Sequence, residues 1–167
     1  MFLQINQIRN PTLDYFFLFI TVGGSTVFWL LLIAALWFSK HRIASSLLLV
    51  TFLVDSMTLL SSKLLFNRTR PNETLEGIRV LQTEIGQSFP SGHSERAFSG
   101  ATVLSYVYKK FSKIFYVLAV LVAISRVYVG AHFPLDVIYG SVNGVLIGYL
   151  LRGFPIEKLK SRLERLF

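Results

Sequence analysis

The chain alternates between long apolar runs and short polar clusters, and the clusters fall where the runs end. Ile43 to Ser62 carries one charge, Asp55. Phe111 to Ala131 carries Lys113 near its start and Arg126 near its end, and Pro134 to Leu151 carries only Asp136. A hydrocarbon core about 30 Å thick is spanned by roughly 20 helical residues, and these runs fit that length. Leu13 to Phe38 is apolar apart from Asp14, and Gly23-Gly24 divides it. That break predicts an interfacial helix over 12–22 and a first crossing over 25–38. One tilted helix over the whole run makes the same number of crossings. Further crossings are expected over 43–65, 92–108, 112–131 and 134–152. The expected fold is an all-α, polytopic transmembrane helical bundle of five crossings with an N-terminal interfacial helix.

The connections carry their own signals. Phe2, Ile5 and Ile8 recur at near-helical spacing, and Pro11 suits a helix start. Asn67 to Phe89 is the sizeable polar connection, and its charges, Arg68, Arg70, Glu73, Glu76, Arg79 and Glu84, are mixed. From Pro155 an amphipathic C-terminal tail sets Ile156, Leu159, Leu163 and Leu166 against Lys158, Lys160, Arg162 and Arg165. Such a helix would lie on an anionic membrane face. Lys40 and Arg42 follow the first crossing, Lys109, Lys110 and Lys113 the third, and the basic tail the fifth. With five crossings all three fall on one side, which the positive-inside rule makes cytoplasmic. The polar clusters then end at the outer face.

Composition agrees with that class. Of 167 residues 53% are hydrophobic and 16% charged, below the roughly 25% charged of a soluble domain. One membrane domain over 1–167 is expected, without room for a soluble second one. The net charge of +8 would suggest nucleic acid for a soluble protein. Here the cations lie between and after apolar runs, which suits topology and lipid headgroups, so the bilayer and its lipids are the expected partners. No nucleic acid and no obligate protein partner is expected. The chain has no cysteine, which excludes disulfides and thiolate chemistry. Arg9 is the one cation ahead of the first apolar run, and no small-residue cleavage site follows, so no cleavable signal is expected.

Three clusters carry the candidate chemistry, because charges near hydrocarbon are costly and mark function. In Pro90-Ser91-Gly92-His93, a hydroxyl and a glycine precede an apolar helix. The helix start offers unpaired N–H groups to an anion, Gly92 would let the backbone approach it, and His93 would stand beside it. A plain helix cap with a solvated histidine is the simpler reading. Lys63 and Arg70-Pro71 add two cations suited to phosphate oxygens, or alternatively two side chains reaching the interface. In the third cluster Arg126 lies six residues before His132, and Asp136 falls in the first turn after Pro134. Asp136 could reach back to the His132 ring, fix its tautomer and leave a nitrogen free for attack. The alternative is a structural His–Asp pair in a tight turn. A buried Arg126 nearby disfavours that alternative, because a buried cation needs an anionic partner.

These residues and spacings resemble the type 2 phosphatidic acid phosphatase superfamily, whose pattern reads K-x6-RP, PSGH and SR-x5-H-x3-D. Lys63, Arg70, Pro71, Pro90, Ser91, Gly92, His93, Ser125, Arg126, His132 and Asp136 fill every position, within 63–71, 90–93 and 125–136. The resemblance implies a metal-independent lipid phosphatase without a cofactor. His132 would form a phosphohistidine and Asp136 would orient it. His93 would protonate the leaving oxygen. Lys63, Arg70, Ser91, Gly92 and Arg126 would hold the phosphate. Location in a bacterial inner membrane with the site outside, and lipid A 1-phosphate as substrate, follow from the same resemblance, with undecaprenyl pyrophosphate or phosphatidylglycerophosphate as alternatives. A small ion or lipid transporter is the competing class, but the charges gather at one face instead of spanning the bilayer. A vanadate-type haloperoxidase is disfavoured by the apolar runs, and a catalytically dead member by the complete motifs. Glu95, two residues after His93, reads as a helix-start carboxylate or a headgroup contact. Asp55 reads as a hydrogen bond inside the bundle.

Overall fold

A computed structural model describes residues 2–8 and 10–152. The expected tail from Pro155 lies outside them. Helix α1 spans Phe2–Asn6, α2 Pro11–Thr21, α3 Thr26–Phe38, α4 Arg42–Phe66, α5 Pro71–Thr74, α6 Gly92–Val107, α7 Ser112–Tyr128 and α8 Pro134–Arg152. No strand occurs among the described residues.

The chain breaks where Gly23-Gly24 suggested. Helix α2 starts at Pro11, capped by the Asn10 side chain, which accepts from the Thr12 and Leu13 amides. It gives way to a single 3₁₀ turn over Val22–Gly24, and Ser25 caps α3 by accepting from the Phe28 amide. The two helices meet at a bend of 59°. Gly24 is required there, because a Cβ would stand 2.7 Å from the Cβ of His93. The bend is thereby pressed against the start of α6.

Helix α6 is the centre of the molecule, and α8 packs along it backbone to backbone. Gly140, Gly144 and Gly148 recur every four residues and line one stripe of α8. A Cβ at Gly140 would stand 2.5 Å from the Ser91 carbonyl, and one at Gly148 2.7 Å from the Ser99 carbonyl. At Gly144 it would run into the Glu95 carbonyl. Small residues at this spacing let membrane helices approach closely where side-chain burial gives little driving force. Trp29, Ile33, Leu47, Leu48, Val103 and Leu104 form the main apolar core between α3, α4 and α6.

The outward faces are apolar as well. Met57 on α4, Val117 on α7 and Leu150 on α8 are all more than half exposed. Among the described residues three helical segments are long and apolar enough to cross a membrane, and a fourth if the bent α2–α3 pair counts as one span. The 16-residue α6 is too short and polar to be recognised on that basis, although it runs between the others. The protein is a multi-pass membrane protein.

Inside the bundle each of two buried acids takes a hydroxyl on one of its oxygens. Asp55 accepts from Ser99 at 2.6 Å, as the bundle reading of Asp55 expected. Glu95 is fully buried and accepts from Thr58 at 2.7 Å, so it serves the α4–α6 contact and not a headgroup.

Candidate active site

His132 sits in the turn between α7 and α8, almost wholly buried. Its Nδ1 lies 2.7 Å from the Ser88 carbonyl oxygen. A carbonyl only accepts, so Nδ1 carries the proton and Nε2 is the nitrogen left for chemistry. This is the tautomer expected from Asp136, reached by another route. Asp136 Oδ2 is 3.9 Å from Nδ1, too long for a hydrogen bond. It accepts instead from the Ser88 hydroxyl at 2.5 Å and from the Phe133 amide at 2.9 Å. The amide bond explains its place in the first turn of α8: it reaches back to satisfy an unpaired N–H. The direct His–Asp contact expected from the spacing is thus replaced by one running through Ser88. Arg68 neutralises Asp136 from the other side at 2.7 Å and lies over the Phe133 ring, 4.4 Å from its centre.

The other motif residues come from α4, the start of α5, the start of α6, and α7. Arg126, fully buried on α7, donates from Nη1 to Thr21 and to Gln82. His93 lies in the first turn of α6, behind the Ser91 cap. Ser91 accepts from the Ser94 hydroxyl at 3.0 Å, and its amide donates to the Asp136 carbonyl at 3.0 Å. Arg70 works as a fork for backbone oxygens, with Nε to Gly86 at 2.7 Å and Nη1 to Ala131 at 2.9 Å. Lys63 Nζ donates to the Gln87 carbonyl at 2.7 Å. Both cations hold the end of the 67–89 connection in place. A Cβ at Gly92 would meet the end of the Leu59 side chain on α4.

At the centre of this set lies a residue that did not stand out in the sequence. The carboxylate of Glu84 pairs with Arg126, with Arg70 at 3.3 Å, with His132 Nε2 at 3.5 Å and with His93 Nδ1 at 3.6 Å. It is the anionic partner that buried Arg126 needs. Burial alone would raise the Glu84 carboxyl; its contact with His132 and the charge of Arg126 outweigh it and hold the carboxyl well below the usual carboxylate range. Burial lowers the His132 ring, with Glu84 pulling the other way and Arg126 reinforcing the fall. Ser88, Arg68 and Thr21 were also missed. The first acts through a backbone oxygen, which no side-chain pattern reveals.

An apolar groove of 470 Å³ runs beside the site between α2, α3, α6 and α7. Ile20, Gly23, Trp29, Ala97, Leu104 and Val122 are among its walls. Ala97 is one turn beyond His93, Val122 one turn before Arg126, and Ile20 precedes the Thr21 that Arg126 holds. The groove and the cationic cluster therefore adjoin.

Helices with bilayer-facing exteriors, two imidazoles and two arginines gathered round one anionic group, and an apolar groove alongside define a membrane phosphatase. The PAP2 superfamily pattern matches residues 42–158, and the chain belongs to that superfamily. It is 36% identical to phosphatidylglycerophosphatase B of Bacillus subtilis (strain 168), over 92% of this chain and 80% of that protein. It is 31% identical to the undecaprenyl-diphosphatase of Sulfolobus acidocaldarius, over 98% of this chain and 83% of that one. The crystal structure of Aquifex aeolicus LpxE superposes with a TM-score of 0.83 at 34% identity, covering 90% of this chain and 91% of that chain. The protein is a lipid phosphatase.

Proposed function

We propose that the protein removes a terminal phosphate from a membrane lipid through a phosphohistidine at His132. The observation that carries this reading is the convergence of Arg70, Arg126, His93 and His132 on one carboxylate, because a phosphate would meet the same four groups. Two arginines suit the charge of a phosphoryl group in transfer. Nε2 of His132 attacks phosphorus, a P–N bond forms, and the ester P–O bond breaks. The leaving oxygen takes its proton from His93. Neutral His93 then takes a proton from water, whose oxygen attacks phosphorus, and the P–N bond breaks to release phosphate and restore His132. Asp136 positions the ring through Ser88. Lys63 and Arg70 hold the loop that closes the site, and Arg70 also faces the phosphate. Ser91 and Gly92 shape the helix start on which His93 stands.

The lipid enters sideways, with its tail in the apolar groove and its phosphate between His93 and Arg126. Helices α3, α4, α6, α7 and α8 make five crossings of a bacterial inner membrane, and the site faces outward. Among the three lipids expected from the sequence, similarity to the Bacillus protein favours phosphatidylglycerophosphate first, ahead of undecaprenyl pyrophosphate and lipid A 1-phosphate. The test is phosphate release by detergent-purified protein in EDTA, over these three lipids, with His132→Ala in parallel. Release that the substitution abolishes supports the reading, and relative rates rank the lipids. No release from any of the three by folded protein sinks it.

A further inference from the structure

The cationic cluster holds an anion of the protein's own, and that has a consequence for which headgroups can enter. We propose that Glu84 determines specificity: its carboxylate is a built-in competitor for the phosphate position, which terminal phosphates displace and phosphodiester headgroups do not. The inference rests on the phosphatase reading above.

Glu84 meets the four groups that would bind and attack phosphorus, including the Nε2 of His132. While it stays, the nucleophile is covered. Its side chain belongs to the stretch 75–91, which has neither helix nor strand, and the next residue, Ile85, is 99% exposed. The backbone just beyond is pinned, because Arg70 holds the Ile85, Gly86 and Gln87 carbonyls and Lys63 holds Gln87 as well. Release therefore requires the Glu84 side chain to swing away without the anchored strand of backbone leaving.

Charge decides what can displace it. A phosphodiester headgroup carries one negative charge, so exchanging it for a carboxylate returns the arginines the charge they already have. A terminal phosphate has a second pKa of about 6 and brings nearly two charges at neutral pH. It also brings more oxygens than the carboxylate. Among the described residues buried Arg126 Nε has no hydrogen-bond partner while Glu84 is in place, so the carboxylate leaves one donor of the cluster unserved. The need for such a filter follows from the setting. A bilayer surface presents anionic headgroups at high density, and an unguarded pair of arginines would hold them as non-productive ligands.

The test compares wild type and Glu84→Gln, both full-length in neutral detergent, by calorimetric binding of inorganic phosphate at pH 8. Short-chain phosphatidylglycerol is then added as a competitor. The expected result is phosphate binding at least fivefold tighter in Glu84→Gln, with phosphatidylglycerol displacing phosphate from the variant and not from wild type. Wild type that binds phosphate while the variant binds no tighter overturns the filter and leaves the phosphatase reading standing. Absence of phosphate binding in both proteins overturns both. A second measurement uses unaltered wild type: phosphate should shift the carbon-13 resonance of the Glu84 side-chain carboxylate. A resonance left unshifted at saturating phosphate overturns displacement of Glu84.

Discussion

A backbone oxygen, not a carboxylate, holds the ring of His132, and this changes what a substitution at Asp136 should do. Asp136→Asn keeps a group that can accept from Ser88 and the Phe133 amide, but it loses the charge that Arg68 answers. Acting at one remove, it should lower kcat by about 10- to 100-fold with KM nearly unchanged, the range seen when outer partners of a ligand are altered. His132→Ala should leave no measurable turnover in the same steady-state assay. Glu84 gives a prediction in stability. Its folded pKa lies below the ordinary 4.5, so its contribution is complete above that pH and fades as the pH falls through the folded value. Glu84→Gln should therefore melt several degrees below wild type at pH 7, and the gap should narrow below pH 4.5. Thermal melts at both pH values check this. The motif residues were legible because their spacing is distinctive. Glu84 was not, since it shares its loop with Glu73 and Glu76, and no local pattern says which of three acids folds inward.

At the level of helices, the decisive contact is made by residues with no side chain. Gly144 sits against the Glu95 carbonyl, and any larger residue must push α8 off α6. Gly144→Leu should destabilise the bundle by about 1–3 kcal/mol or more, the usual cost of overfilling a packed contact. Leu150→Ala, at a position 74% exposed, should leave the melting temperature in detergent nearly unchanged. The pair of melts separates tight packing from general apolarity. The ends of the long helices and the break at Gly23-Gly24 could be read from the apolar runs, because a bilayer-length run and a glycine pair leave few alternatives. The 59° bend could not, since it is set by the fit of Gly24 on His93. The glycines of α8 lie in a run apolar on all sides, which hides the face they mark.

For the whole molecule, the cysteine-free chain makes topology directly measurable. Single cysteines at Leu75 and at Lys110 should react with an impermeant thiol reagent from opposite sides of the membrane, Leu75 from outside. Labelling of both from one side would overturn the proposed layout. Cation bias is what argues for this layout, because with five crossings each basic cluster follows an odd-numbered one. The groove was not readable, since its walls come from two helix pairs, α2–α3 and α6–α7, that lie far apart in sequence. Its position has a kinetic consequence. A tail held there means that substrate arrives within the plane of the membrane and is never drawn from bulk water. Adding inert detergent at constant total lipid should slow turnover, although the substrate's molarity is unchanged. Rate against surface mole fraction should fall on one curve, whatever the volume of the tube. KM for this protein is then a fraction of a surface, a measure of how crowded a sheet must be before the site is seldom empty.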